Sequence, residues 1–280
     1  MYRVFGVAVT CLWLTAMGAL VVRDLVPNWT AQEPPRVVLT DRSAPQHSQC
    51  GIFDQRGRRM GTAWSVLKPV GDETRMENTV LLDGVPGLPP VRVEMTLNLL
   101  ETGTVDEFEL DVHGLHPLVI AIKGENYGRY MACLAEIGPF SRSFRLDASS
   151  ARLISDGIRP FYSLPNLRVG QTWRMHMLDP LTAMMGQKAR IIPIVVRVDR
   201  KERIEFEGRA IDCFVVVADR VQAWVDADGR VLVQRAEIPG LGRVEIRDEL
   251  PQPDRRLEAR RKVPSSGAQR MWYGPGRRRR

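Results

Sequence analysis

Histidine is the residue type most able to do chemistry near neutral pH, and His113-Gly-Leu-His116 is the one close pair in the chain. A zinc site would need both rings on one side and a further ligand such as Asp111 or Cys133. Strand positions three apart face opposite ways, and Gly114 marks a strand end. Two surface histidines around a turn are therefore expected. His176 alternates with the apolar positions of its run, on the same face as Arg174, where solvent is the expected surrounding. Asp226-x-Asp228-Gly229 opens like a calcium loop, but its glycine falls at the fourth position and no helices flank it, so a turn is expected. Glu205, Glu207 and Asp212 take outward alternating positions, and nothing singles out an acid/base pair among them. The chain has no Gly-x-Ser-x-Gly elbow, no Walker loop, no His-Glu-x-x-His and no dinucleotide glycine pattern after a strand. No catalytic residue, cofactor or metal ligand is expected, and the chain reads as a non-enzyme.

Two other chemistries remain. Met95, Met131, Met175, Met177, Met184 and Met185 supply soft, adaptable apolar side chains. On the concave side of a curved sheet they would hold a lipid or acyl chain, with Met95, Met175, Met177 and Trp173 as the ligand-facing candidates. The same residues would also fill an ordinary core. The second chemistry is charge. Residues 255–280 hold ten Arg and Lys against one Glu, which leaves the rest of the chain near −2 within a total of +7. Arg277, Arg278, Arg279 and Arg280 would be drawn to anionic lipid head groups or a polyanionic polymer. Only Trp272 and Tyr273 interrupt the basic run with aromatics, so nucleic acid is disfavoured as a partner. A solvated tail without a dedicated partner is the alternative.

The elements that position these residues read as strands. Val91, Val93, Met95, Leu97 and Leu99 alternate with Arg92, Glu94, Thr96 and Asn98, and Phe108, Leu110 and Val112 with Glu109, Asp111 and His113. Trp173, Met175 and Met177 oppose Arg174 and His176, and Ile192, Ile194, Val196 and Val198 continue the pattern. From Ile211 to Arg247 two β-branched runs flank Asp226-Ala-Asp228-Gly229, where Gly229 can take a positive φ and the aspartates can cap the turn. Residues 149–156 suit a short helix or crossing segment, and 179–189 a flexible apolar loop or helical turn. Two stretches of hairpins, 50–147 and 168–249, are expected as halves of one sheet, with no repeat identity evident between them. Forty-four per cent hydrophobic residues over 280 positions are enough for a proper core.

Val4 to Val22 is nineteen residues without a charge, about the length that crosses a bilayer. An uncleaved anchor is favoured over a cleaved signal peptide, because the basic n-region is weak and Ala16-Met17-Gly18 is a poor cleavage site. Arg3 favours an extracytoplasmic, periplasmic body; secretion after cleavage is the alternative. The expected divisions are an anchor or signal segment at 1–26, a proline-rich linker at 27–49, an antiparallel β domain at 50–250 and a basic disordered tail at 251–280. Cys50, Cys133 and Cys213 form no framework and are expected unpaired.

Leu167-Arg-Val-Gly-Gln-Thr-Trp173, Glu205-Phe-Glu-Gly208 and Ala223-Trp-Val-Asp-x-Asp-Gly-Arg-Val-Leu232 resemble a group of uncharacterised bacterial envelope proteins that look distantly like the Lol-type lipoprotein carriers. The resemblance covers about residues 50–249. It implies a half-open β-barrel outside the cytoplasm and transfers no catalytic residue. The expected fold is mainly β, a large curved antiparallel sheet or half-open barrel preceded by one transmembrane helix. The expected role is a non-catalytic binding or accessory one, holding an apolar ligand or docking an envelope partner. Two further roles stand behind it: a structural protein gripping anionic surfaces by its tail, and a His-dependent hydrolase.

Overall fold

A computed structural model describes Trp13 and residues 45–71, 73–100, 104–115, 117, 120–147, 161, 164–178, 191–238, 242–251 and 263. Most of the expected anchor, the 149–156 and 179–189 segments, His116, Met184, Met185 and Arg277 to Arg280 lie outside these residues. The described residues contain no helix long and apolar enough to cross a membrane.

Fourteen strands form one antiparallel sheet. They are β1 (Gln46–Asp54), β2 (Arg59–Val70), β3 (Glu73–Leu82), β4 (Val91–Leu99), β5 (Val105–His113), β6 (Ile120–Asn126), β7 (Tyr130–Ile137), β8 (Phe140–Asp147), β9 (Thr172–Leu178), β10 (Ile191–Phe206), β11 (Arg209–Ala218), β12 (Val221–Val225), β13 (Val231–Ile238) and β14 (Gly242–Glu249). The first strand takes in the last four residues of the stretch read as linker.

The spatial order runs β8 through β1, then β14 through β9. The two hairpin stretches are thus halves of one open sheet, joined where β1 pairs with β14, Gln49 opposite Glu249 and Ile52 opposite Ile246. The edges are β8 and β9.

Alternation and register give the sheet two unlike faces. One cross-strand row passes through Leu67, Met76, Leu97, Phe108, Gly124, Cys133 and Phe144. The next passes through Ser65, Asn78, Met95, Leu110, Ile122 and Ala135. This inner face carries three apolar clusters: one around Met95 and Phe108, one at the seam around Cys50 and Ile246, and one around Trp173 and Val216. A single-layer sheet buries a face only by curling round it or by laying chain across it, and sheets this wide curl with their twist.

The same tight turn occurs twice, once in each half. In Asp54-Gln-Arg-Gly57-Arg58 the Asp54 carboxylate accepts the amides of Arg56 and Arg58, both at 2.9 Å. In Asp226-Ala-Asp-Gly229-Arg230 the Asp226 carboxylate accepts those of Asp228 at 3.0 Å and Arg230 at 2.9 Å. The glycines have φ of +76° and +85°. The likeness is confined to these five residues.

Candidate functional site

The apolar candidates separate into two places. Met95 lies on β4 in a cluster with Met76, Leu97, Val105, Phe108, Ile122, Met131 and Cys133, all buried. Trp173 lies on β9, at the far edge of the sheet order, and is 1% exposed. Register puts positions 175 and 177 opposite Ile194 and Ile192, in step with Trp173 opposite Val196. The side chains of Met175 and Met177 lie outside the described residues.

The seat beside Trp173 is filled by the chain itself. Phe161, Leu164 and Leu167, on the way from β8 to β9, pack against Trp173, Val196, Val216 and Ala223. The buried Gln234 amide holds Phe161 from both sides: its Nε2 donates to the Phe161 carbonyl at 3.0 Å, and its Oε1 accepts the Phe161 amide at 3.2 Å. The Leu164 amide donates to the Gly229 carbonyl at 2.9 Å. A Cβ on Gly229 would sit 2.8 Å from the Leu164 carbonyl oxygen, so the turn's glycine also makes room for this strap. Gly229 was legible as a turn residue; its second task was not.

The half from β2 to β8 has a different character. An open groove of about 380 Å³ lies at the β6–β8 end. Its lining is mostly outer-face: the rows Glu107–Glu125–Ala132–Arg145 and Lys123–Leu134–Ser143 lie on the side away from Met95 and Phe108, with Gly124, Cys133 and Phe144 between them. Gly124 is required by its neighbour, because a Cβ there would overlap the Phe108 ring. Tyr127 stacks on Tyr130 at 5.6 Å between ring centres, and the Arg145 guanidinium lies 4.6 Å from the Tyr130 ring centre. Burial pushes the Cys133 thiol up to about 12, so it stays protonated and packs as a small apolar group. Sequence reading missed Met76, Phe108, Gly124 and Phe144; their common row is the signal, and it exists only once the strands are paired.

On the outer face His113 ends β5, as Gly114 implied. Its Nε2 and the Arg92 guanidinium each approach Glu94 Oε2 at 3.4 Å. Asp111, paired with Glu94 across the strands, is held above its usual 3.8 by burial first and by the Glu109 charge second. Among the described residues no group of three His, Cys, Asp or Glu is placed to hold a metal. Cys50, Cys133 and Cys213 are all buried thiols in no disulfide, and the Cys50 thiol donates to Asp248 at 3.7 Å.

A further polar network crosses the seam on this face. Trp64 Nε1 donates to Gln49 Oε1 at 3.0 Å, Gln49 Nε2 donates to Glu249 at 3.0 Å, and Arg59 grips Glu249 with two nitrogens at 2.8 and 2.9 Å. It links the first strand to the last and fixes their register.

No protein-family model matches the sequence. No curated protein matches it either. Among solved structures the chain is similar to the beta-barrel-like protein of a domain of unknown function, DUF1849, from Brucella abortus: TM-score 0.43, 8% identity, 74% of this chain and 97% of that one. It is also similar to a DUF1089 family protein from Pseudomonas aeruginosa: TM-score 0.33, 20% identity, 64% of this chain and 90% of that one. Neither is described as a lipoprotein carrier, and likeness at these scores carries no argument about function.

Proposed function

We propose that this is a non-catalytic envelope protein that holds an apolar or amphipathic ligand on the inner face of its β2–β8 half. The observation that carries the reading is the gathering of Met76, Met95 and Met131 around Phe108. Unbranched thioethers re-pack at low cost, so an acyl chain entering between them displaces side chains and not backbone. The other half of the inner face offers no such entry at Trp173, because Phe161 and Leu164 occupy it. In this reading the body lies at a membrane, on its extracytoplasmic side, and the uncharged apolar run at 4–22 supports it.

The test is lipid extraction and native mass spectrometry of the full chain, purified in mild detergent from an envelope fraction. An acyl species near one-to-one, lost in Gly124→Val, supports the reading, since that substitution drives Phe108 off its seat in the methionine cluster. A clean apo mass counts against it. It would move weight to the second reading, attachment to anionic surfaces through Arg277 to Arg280. That reading expects salt-sensitive retention that vanishes when residues 268–280 are removed.

A further inference from the structure

We infer that the outer face of β2–β4 is a docking slot for the chain's own C-terminal segment, with Val263 as its anchor. Val263 falls in the stretch expected to be disordered, yet it is 5% exposed and clusters with Trp64 and Leu81. Both belong to the outer face. Trp64 pairs with Gln49 and Thr79, and Leu81 with Thr62 and Arg92, two adjacent rows distinct from the inner-face clusters.

Burial extends along both rows. Gln49, Thr62, Thr79 and Arg92 are buried with Trp64 and Leu81, and Arg92 is only 1% exposed. A guanidinium projecting from the outer face of a single-layer sheet is sealed from water only when chain lies over it, since charged groups resist burial. Val263 is the described residue found there from outside the sheet. The slot suits an apolar anchor, because the polar edge of Trp64 is already engaged by Gln49.

The tether does not force this contact. Trp64 stands two strands from Glu249 through Gln49, about 10 Å at the usual spacing between strands. Residues 250–263 would reach roughly 45 Å if extended. The chain has slack to place Val263 elsewhere, so its seat reflects the apolar chemistry of the slot. Any surface binding by Arg277 to Arg280 rests on the second reading above; the slot itself does not.

Melting temperatures of six forms test the inference: the full chain, a chain ending at Gly267, a chain ending at Leu250, Val263→Ala, Leu81→Ala and the two substitutions combined. The chain ending at Gly267 is expected to melt with the full chain. The chain ending at Leu250 is expected to melt lower by roughly 3–10 °C, the scale of one buried valine in a domain this size. Val263→Ala and Leu81→Ala, combined, are expected to cost less than the sum of their separate shifts, as contacting residues do. Equal melting of the chains ending at Leu250 and Gly267 would overturn the slot, and so would additive shifts of Val263→Ala and Leu81→Ala. Neither result depends on ligand content or on the arginines.

Discussion

Single residues in this sheet often do two jobs, and substitution can separate them. Gly57 and Gly229 occupy the same place in the same turn, but a Cβ on Gly57 meets nothing within 4 Å while one on Gly229 meets the Leu164 backbone. Gly57→Ala should cost about 1–2 kcal/mol, the left-handed backbone alone. Gly229→Ala should cost roughly 2–5 kcal/mol, because the strap must also move. Urea unfolding of both variants checks this, and equal costs would mean that the strap is not seated on the turn. Asp111 makes a pH-dependent prediction. Its folded pKa lies above 3.8, so the folded state binds the proton more tightly, and stability is lost as pH rises from 3.8 through the raised value. Asp111→Asn removes that loss. It should raise the melting temperature at pH 7 and give little gain once the pH falls below the usual carboxylate range, as thermal scans across pH would read.

At the scale of elements, the strap between β8 and β9 decides which half of the inner face is occupied. Its hold is the Gln234 amide, which satisfies both backbone groups of Phe161 in a buried setting. Gln234→Leu keeps the volume and leaves the Phe161 N–H and C=O unpaired, at a cost of roughly 2–4 kcal/mol. Amide exchange at Leu164 should accelerate, since its bond to Gly229 depends on the strap staying down. Unchanged exchange would place the strap's hold in its apolar side chains instead. Glu245 on β14 shows the opposite electrostatic case to Asp111. Burial pushes its carboxyl up, but hydrogen bonds from Arg235 at 2.7 Å and Arg247 at 2.6 Å more than offset this and lower it below 4.5. The stability that it contributes is present above 4.5 and lost as pH falls through its lowered value.

For the whole molecule, the consequential contact is the seam. β1 and β14 pair across nearly the full length of the domain, with Gln49 opposite Glu249. Without that pairing the halves would be two separate meanders. Read from β9 to β14 and on from β1 to β8, the order is an unbroken succession of neighbouring strands. A circular permutant that joins residue 250 to residue 46 and opens between 148 and 160 should therefore keep the same sheet. It should also fold faster than the parent chain, because the seam becomes a local contact. Stopped-flow refolding of both forms checks the rate. A permutant that fails to form the sheet would show that residues 251–263 are needed to hold the outer face, which the chain ending at Leu250 tests separately.

Strand character was legible because side chains alternate locally: Val91 to Leu99 reads as a half-buried strand with no knowledge of its neighbours. The turn at Asp226 was legible for the same reason, since carboxylate capping and a positive φ at Gly229 are properties of five adjacent residues. That the two hairpin stretches form one sheet agrees with the expectation, but the contact that joins them is the β1–β14 seam and not a local pattern. Which strands meet was not legible. Pairing across the seam, the row that brings Gly124 under Phe108, and the separation of Met95 from Trp173 depend on register between segments far apart in sequence. The seat of Val263 was hidden for a related reason. One valine in a basic segment has no period to betray it, and only a folded outer face with Trp64 beside Leu81 gives it somewhere to go.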